Sequence, residues 1–130
     1  MLVVSARAEL KTDIEFAKPG GVSLTLDAFV PEGKGPFPTC ILVHGGGAQG
    51  THMMGLGRRP GWVHYFVQAG YAVLAFDQCS FGSRQAEIGP FYDRFPRWSQ
   101  LGRMIDDTRA AIDALEKEAN VDAARISLFG

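Results

Sequence analysis

The 130-residue chain predicts an α/β fold, a mostly parallel sheet with an antiparallel hairpin at its N-terminal end. Three patterns carry that expectation. A strictly alternating segment near the start marks a strand with one face in water. Two near-continuous apolar runs mark strands buried on both faces, and helical periodicities separate the later runs.

The elements follow in order. DIEFA (13–17), the turn KPGG (18–21) and VSLTLDAFV (22–30) make a hairpin signal. In the second arm Val22, Leu24, Leu26, Ala28 and Val30 alternate with Ser23, Thr25, Asp27 and Phe29, the period-2 spacing of a half-buried strand near a sheet edge. PEGKGPFP then breaks the structure with three prolines and two glycines.

TCILVH (39–44) and YAVLAFD (71–77) are the two apolar runs. Between them Pro60 suits the first turn of a helix, Trp62, Val63, Phe66 and Val67 recur at helical spacing, and Gly70 fits a left-handed stop. That is a β-α-β unit. From Ser99, a good N-cap, Leu101, Met104, Ile105, Thr108, Ile112 and Leu115 point inward. Asp106, Asp107, Arg109, Asp113 and Lys117 point outward, and Asn120 closes a helix of about 20 residues. RISLF (125–129) is a last strand.

The length suits one domain. Thirteen basic and fourteen acidic residues leave a net charge of −1, so the basic field of a nucleic-acid or membrane-surface binder is missing and the expected partner is a small molecule. No apolar run reaches the roughly 18 residues of a membrane span. Cys40 and Cys79 are too few for a disulfide framework. MLVVSARA (1–8) ends in Ala-x-Ala, but its apolar part is shorter than the roughly 7 to 15 residues of a signal core. It reads either as an N-terminal strand, in a cytoplasmic protein, or as the remnant of a secretory signal, in a secreted or periplasmic one.

The chemistry centres on ILVHGGGAQG (41–50), which admits two readings. Gly45, Gly47 and Gly50 spell G-x-G-x-x-G, the turn of a dinucleotide-binding oxidoreductase. That turn needs a helix starting at once, and an acid about 20 positions on. Here THMMGLGRRPG follows instead, and Asp77 comes about a third too late. His44 to Gly47 spell HGGG, where bare backbone lets two N–H groups face the oxygen that becomes negative in a tetrahedral intermediate. Such a motif follows the third strand in lipases and esterases.

With those residues in place the chain resembles the α/β-hydrolase superfamily. FVPEGKGPFPTCILVHGGG looks like its strand, Pro-Gly loop, strand and oxyanion loop. GYAVLAFDQCSFGSR looks like the next strand and its D-x-x-x-x-G-S loop, and LGRMIDDTRAAIDALEKEANVDAARISLFG is similar to the helix and strand that lead to the nucleophile elbow. The surroundings of Trp98-Ser99 and of 106–109 look most like the acetyl-xylan-esterase and dienelactone-hydrolase-like branch.

The resemblance implies a three-layer α/β-hydrolase fold, with residues 1–130 as the N-terminal half of a single domain. Gly130 stands where the first Gly of G-x-S-x-G falls. The nucleophile (Ser, or Cys in some relatives), the acid and the catalytic His are then expected beyond it. The implied reaction is hydrolysis of a small carboxylic ester through an acyl-enzyme, with backbone N–H of Gly46 and Gly47 in the oxyanion hole and neither cofactor nor metal. The implied partner is the missing C-terminal half, without which the chain is expected to be inactive and 125–129 to be an uncovered, aggregation-prone edge. A non-catalytic binding domain of the same fold is the other reading.

Remaining candidates carry plainer roles. His44 either supports the oxyanion loop or is a hydrogen-bonded strand-end histidine with no direct chemistry, and Asp77, ending a parallel strand, is expected to hold the loop 78–84 through backbone N–H groups rather than to act in catalysis. His52 and His64 have no metal-ligand spacing with His44. Cys79 is a thiol near the expected site mouth or a small apolar filler. Arg58 and Arg84 flank an anionic substrate or are merely solvated. Phe91, Tyr92, Phe95 and Trp98 wall a pocket or pack beneath their loop.

Overall fold

The structure, a computed structural model, describes residues 8–18, 21, 23–44, 55–56 and 59–130. Strands β1 (Ala8–Ala17) and β2 (Leu24–Pro31) form the expected hairpin, with Ala8 opposite Pro31 and Ala17 opposite Leu24. β1 begins well before DIEFA. Its register slips between Lys11 and Ile14 and again between Glu15 and Ala17, and such slips destroy the alternation by which a strand is recognised.

Next come β3 (Phe37–Leu42), a short antiparallel pair β4 (Gly55–Leu56) and β5 (Arg59–Pro60), helix α1 (Trp62–Gln68) and β6 (Ala72–Ala75). A 3-10 turn (Gly82–Glu87), α2 (Phe91–Arg94), α3 (Gln100–Leu115) and β7 (Val121–Phe129) complete the described chain. The main sheet has the order β1-β2-β6-β3-β7. β3 pairs in parallel with β6 and β7, while β2 meets β6 antiparallel. The parallel centre with an antiparallel hairpin at one edge is the arrangement the apolar runs imply.

Alternate residues of the central strands feed two cores. Cys40, Leu42 and Val73 pack with Val63 and Val67 of α1. Ile41, Leu74 and Phe76 pack with Leu26 of β2 and with Ala111 and Leu115 of α3. The two helices therefore cover opposite faces and the molecule has three layers. Side chains as completely buried as Ile41, Leu42 and Leu74 each contribute about 1.5–3 kcal/mol of transfer free energy.

Several local expectations need correction. Pro60 lies in β5, ahead of the helix: α1 starts at Trp62 behind an extended Gly61 (φ −83°, ψ 177°), and Trp62 itself is exposed. Helix α3 keeps its Ser99 cap, whose Oγ accepts the Gly102 N–H at 2.9 Å. It ends at Leu115, because Lys117 and Glu118 bond three residues back, to Ala114 and Leu115, and tighten the chain out of the α-helix. At 16 residues it is about 24 Å long.

The buried face of α3 is also rotated from the apolar one. Arg103, Asp107, Ala111 and Leu115, at four-residue steps, face inward, whereas Leu101 and Ile105 are exposed. Strand β7 starts earlier than 125 and lies at the sheet edge, with Leu128 and Phe129 exposed. Gly70 has the expected left-handed conformation (φ +85°) behind α1.

Candidate active site

Strand register builds the site. β3 and β6 are parallel neighbours with Leu42 opposite Ala75, so two residues further along each strand His44 and Asp77 emerge side by side at the same sheet edge. His44 Nε2 lies 2.7 Å from Asp77 Oδ1, with the imidazole buried and the carboxylate nearly so. The Phe81 ring stands edge-on to the imidazole, its centroid 6.4 Å away. The next residues in sequence, Gly45, Gly46 and Gly47, lie outside the described residues, as do His52 and Arg58.

Asp77 also holds its own loop. Its Oδ2 accepts both the Ser83 N–H and the Ser83 hydroxyl, each at 2.7 Å. This is possible because Gly82 occupies the left-handed region (φ +54°) and has no side chain, for a Cβ there would overlap the Asp77 carboxylate. Gly130 is constrained similarly, since a Cβ on it would overlap the Val43 carbonyl oxygen. Beside that contact the Val43 N–H reaches Phe129 O at 2.8 Å and carries the β3–β7 ladder up to the site.

Arg84 does not face outward as an anion-binding cation. Its Nη1 donates to Asp107 Oδ2 at 2.6 Å and to the Asp77 carbonyl at 3.2 Å, while Nε and Nη2 grip the Glu87 carboxylate at 2.8 and 3.0 Å. Burial opposes the Arg84 charge, but Glu87 and Asp107 outweigh it and its pKa is raised. Burial likewise works against the Glu87 carboxylate, yet Arg84 holds it below the ordinary glutamate range.

Cys79 is completely buried, and burial pushes its thiol pKa up. That is the reverse of what a nucleophilic thiol needs. The aromatic set divides: Phe91 is buried against the rings of Tyr92 and Phe95, at centroid distances of 5.0 and 5.4 Å, while Tyr92 and Trp98 are largely exposed. His64 sits on α1, away from His44 in the sequence of elements.

Asp107 is the site-proximal residue that sequence reasoning put on the wrong face. It is 1% exposed. The available signal was the four-residue stripe Arg103, Asp107, Ala111, Leu115, in which Arg103 lies one helical turn from Asp107 and is placed to share its burial.

The parallel centre, the antiparallel edge hairpin and the helices on both faces define a three-layer α/β fold whose third strand is followed in sequence by a glycine run, and comparisons with known proteins agree on that fold. No family model matches the chain. The chain is 39% identical over 122 residues, 91% of its length, to Esterase FrsA of Salmonella paratyphi B, and it spans 25% of the length of that relative. Its fold matches a protein assigned as an acetyl xylan esterase from Bacteroides fragilis (TM-score 0.75, 19% identity, 94% of this chain and 38% of that one). It also matches a dienelactone hydrolase from Anabaena variabilis (TM-score 0.62, 19% identity, 95% and 52%). The chain has the α/β-hydrolase fold. Within it, the resemblance in sequence is to the esterase branch.

Proposed function

We propose that these residues form the oxyanion half of a serine hydrolase that cleaves small carboxylic esters through an acyl-enzyme. The observation that supports this most is the His44–Asp77 pair at 2.7 Å. It fixes the end of β3 at the sheet's carboxyl edge, directly before three residues with no side chain. In this reading Gly46 and Gly47 present backbone N–H groups to the developing oxyanion, Asp77 orients His44, and His44 steadies the start of the glycine loop. In this reading the nucleophile, acid and general base belong to sequence outside these 130 residues, which span 25% of the length of Esterase FrsA, and Cys79, buried with a raised pKa, takes no nucleophilic part.

Catalysis then depends on preorganised donors. An N–H already aimed at the oxyanion needs no reorganisation in the transition state, and losing one donor costs about 100 to 1,000 fold in rate. The test uses the full-length protein with a fluorophosphonate probe and p-nitrophenyl acetate. Stoichiometric labelling of one Ser, a burst of p-nitrophenol, and a rate loss of about that size in Gly46→Pro or Gly47→Pro are expected. Absence of both labelling and turnover, with the fold intact, overturns the enzymatic reading in favour of a binding domain.

A further inference from the structure

We infer that Asp107, a helix residue remote in sequence from the glycine run, is a positioning residue that sets the His44–Asp77 pair through the 77–84 loop. The path is continuous. Asp107 Oδ2 accepts the Cys79 N–H at 2.9 Å and Arg84 Nη1 at 2.6 Å. The same Nη1 reaches the Asp77 carbonyl at 3.2 Å, and the next residue of α3, Thr108, accepts from Gln78 Nε2 at 3.3 Å. Asp77, Gln78 and Cys79 are thus each tied to Arg84 or to α3. The side chain of the first of them holds His44.

The other oxygen fits the same design. Asp107 Oδ1 lies 3.2 Å from Arg103 Nη2, close enough to pair but not aligned as a hydrogen bond. Arg103 also pairs with Asp106 and stacks over Phe95, its guanidinium carbon 5.3 Å from the ring centroid. One fully buried carboxylate therefore lies between two arginines. Such burial is a poor source of stability, because desolvation offsets the attraction. What the arrangement does supply is direction: Arg84 is planar, with Glu87 gripping one edge and Asp107 the other. The loop end that carries Asp77 is held against a rigid helix, and residues on regular elements hold a site more closely than residues on loops.

The kinetic consequence rests on the ester-hydrolase reading; the structural one does not. Asp107→Asn and Arg84→Lys are compared, in the full-length protein, with Asp113→Asn, an exposed control on the same helix. The first readout is the pair of His44 ring nitrogen resonances. Both variants are expected to move them, Asp107→Asn further, while the control leaves them at the wild-type positions. The second is ester hydrolysis, where Asp107→Asn is expected to lower kcat about 10- to 100-fold with KM nearly unchanged, as for a small misplacement of reacting groups.

Folded Asp107→Asn and Arg84→Lys proteins with wild-type His44 resonances overturn the inference, as does a KM rise that accounts for the whole loss. If Asp107→Asn does not fold, Arg84→Lys decides by the same criteria. If the wild-type protein hydrolyses no ester, the proposed function fails, and the resonances alone decide the positioning role.

Discussion

Gly82→Ala measures how tightly the Asp77 carboxylate is held, and Gly70→Ala calibrates it. Both glycines have left-handed backbones, at φ +54° and φ +85°. An alanine in that region costs about 1–2 kcal/mol whatever its surroundings. At Gly70 nothing else follows, because no atom of the described residues lies within 4 Å of the added Cβ. At Gly82 the Cβ overlaps the carbon and both oxygens of the Asp77 carboxylate, which must swing away from the Ser83 N–H, the Ser83 hydroxyl and His44.

Hydrogen bonds to a charged group contribute about 1.5–3 kcal/mol each. Loss of one or two of these bonds among the described residues, with water restoring part, adds about 2–4 kcal/mol. Gly82→Ala should therefore cost about 3–6 kcal/mol against about 1–2 for Gly70→Ala, a large share of a typical domain's stability. Urea unfolding at one fixed protein concentration, followed by far-UV circular dichroism, reads the difference. Tryptophan fluorescence is the poorer probe, since Trp62 and Trp98 are already exposed in the folded state. In an Asp77→Ala background the excess should vanish and Gly82→Ala should fall back to about 1–2 kcal/mol. Equal costs for Gly82→Ala and Gly70→Ala would refute the claim that the carboxylate is fixed by its surroundings.

Three further outcomes follow from the same geometry. Cys40 and Cys79 are buried, and burial pushes Cys40 to about 11 and Cys79 upward. Neither thiol should react with Ellman's reagent at about pH 8 until denaturant is added, and a fast native reaction would show that the loop opens. Glu87 is held below its ordinary value of 4.5, so its contribution to stability is fully present above that pH and is lost as pH falls below it. Glu87→Gln should flatten this acid limb, and an unchanged pH–stability curve would sink the assignment. Finally, β7 is an edge strand with Leu128 56% exposed, so residues 1–130 expressed alone should self-associate and Leu128→Lys should shift sedimentation toward monomer. A wild-type sample that stays monomeric over a wide concentration range contradicts this.

The fold was legible wherever burial is symmetric and local. β3 and β6 are buried on both faces, so their apolar runs show in the sequence without knowledge of their neighbours. Helix α3 was legible as a helix but not in its orientation. Hydropathy placed Leu101 and Ile105 inside and Asp107 outside, whereas the sheet takes the stripe that carries Ala111. Paired charges invert hydropathy: Asp107 is buried because Arg84 and Arg103 face it, and one of those partners comes from a different element.

The site shows the same division between what one segment encodes and what pairing adds. That His44 and Asp77 each lie just past the end of a parallel strand follows from their own neighbours in sequence. That they touch follows from Leu42 lying opposite Ala75, a register set by side chains on both helices and the sheet between them. A slip of one residue in that pairing would turn every β6 side chain to the other face, sending Leu74 toward α1 and Val73 toward α3. The cores that bury Ile41, Leu74 and Val73 almost completely therefore also align His44 with Asp77. A core truncation that loosens this register, such as Leu74→Ala, should disturb the His44 resonances as well as lower stability. An exposed truncation on α3, such as Leu101→Ala, should do neither, and equal effects from the two would separate the site from the register that is argued to build it.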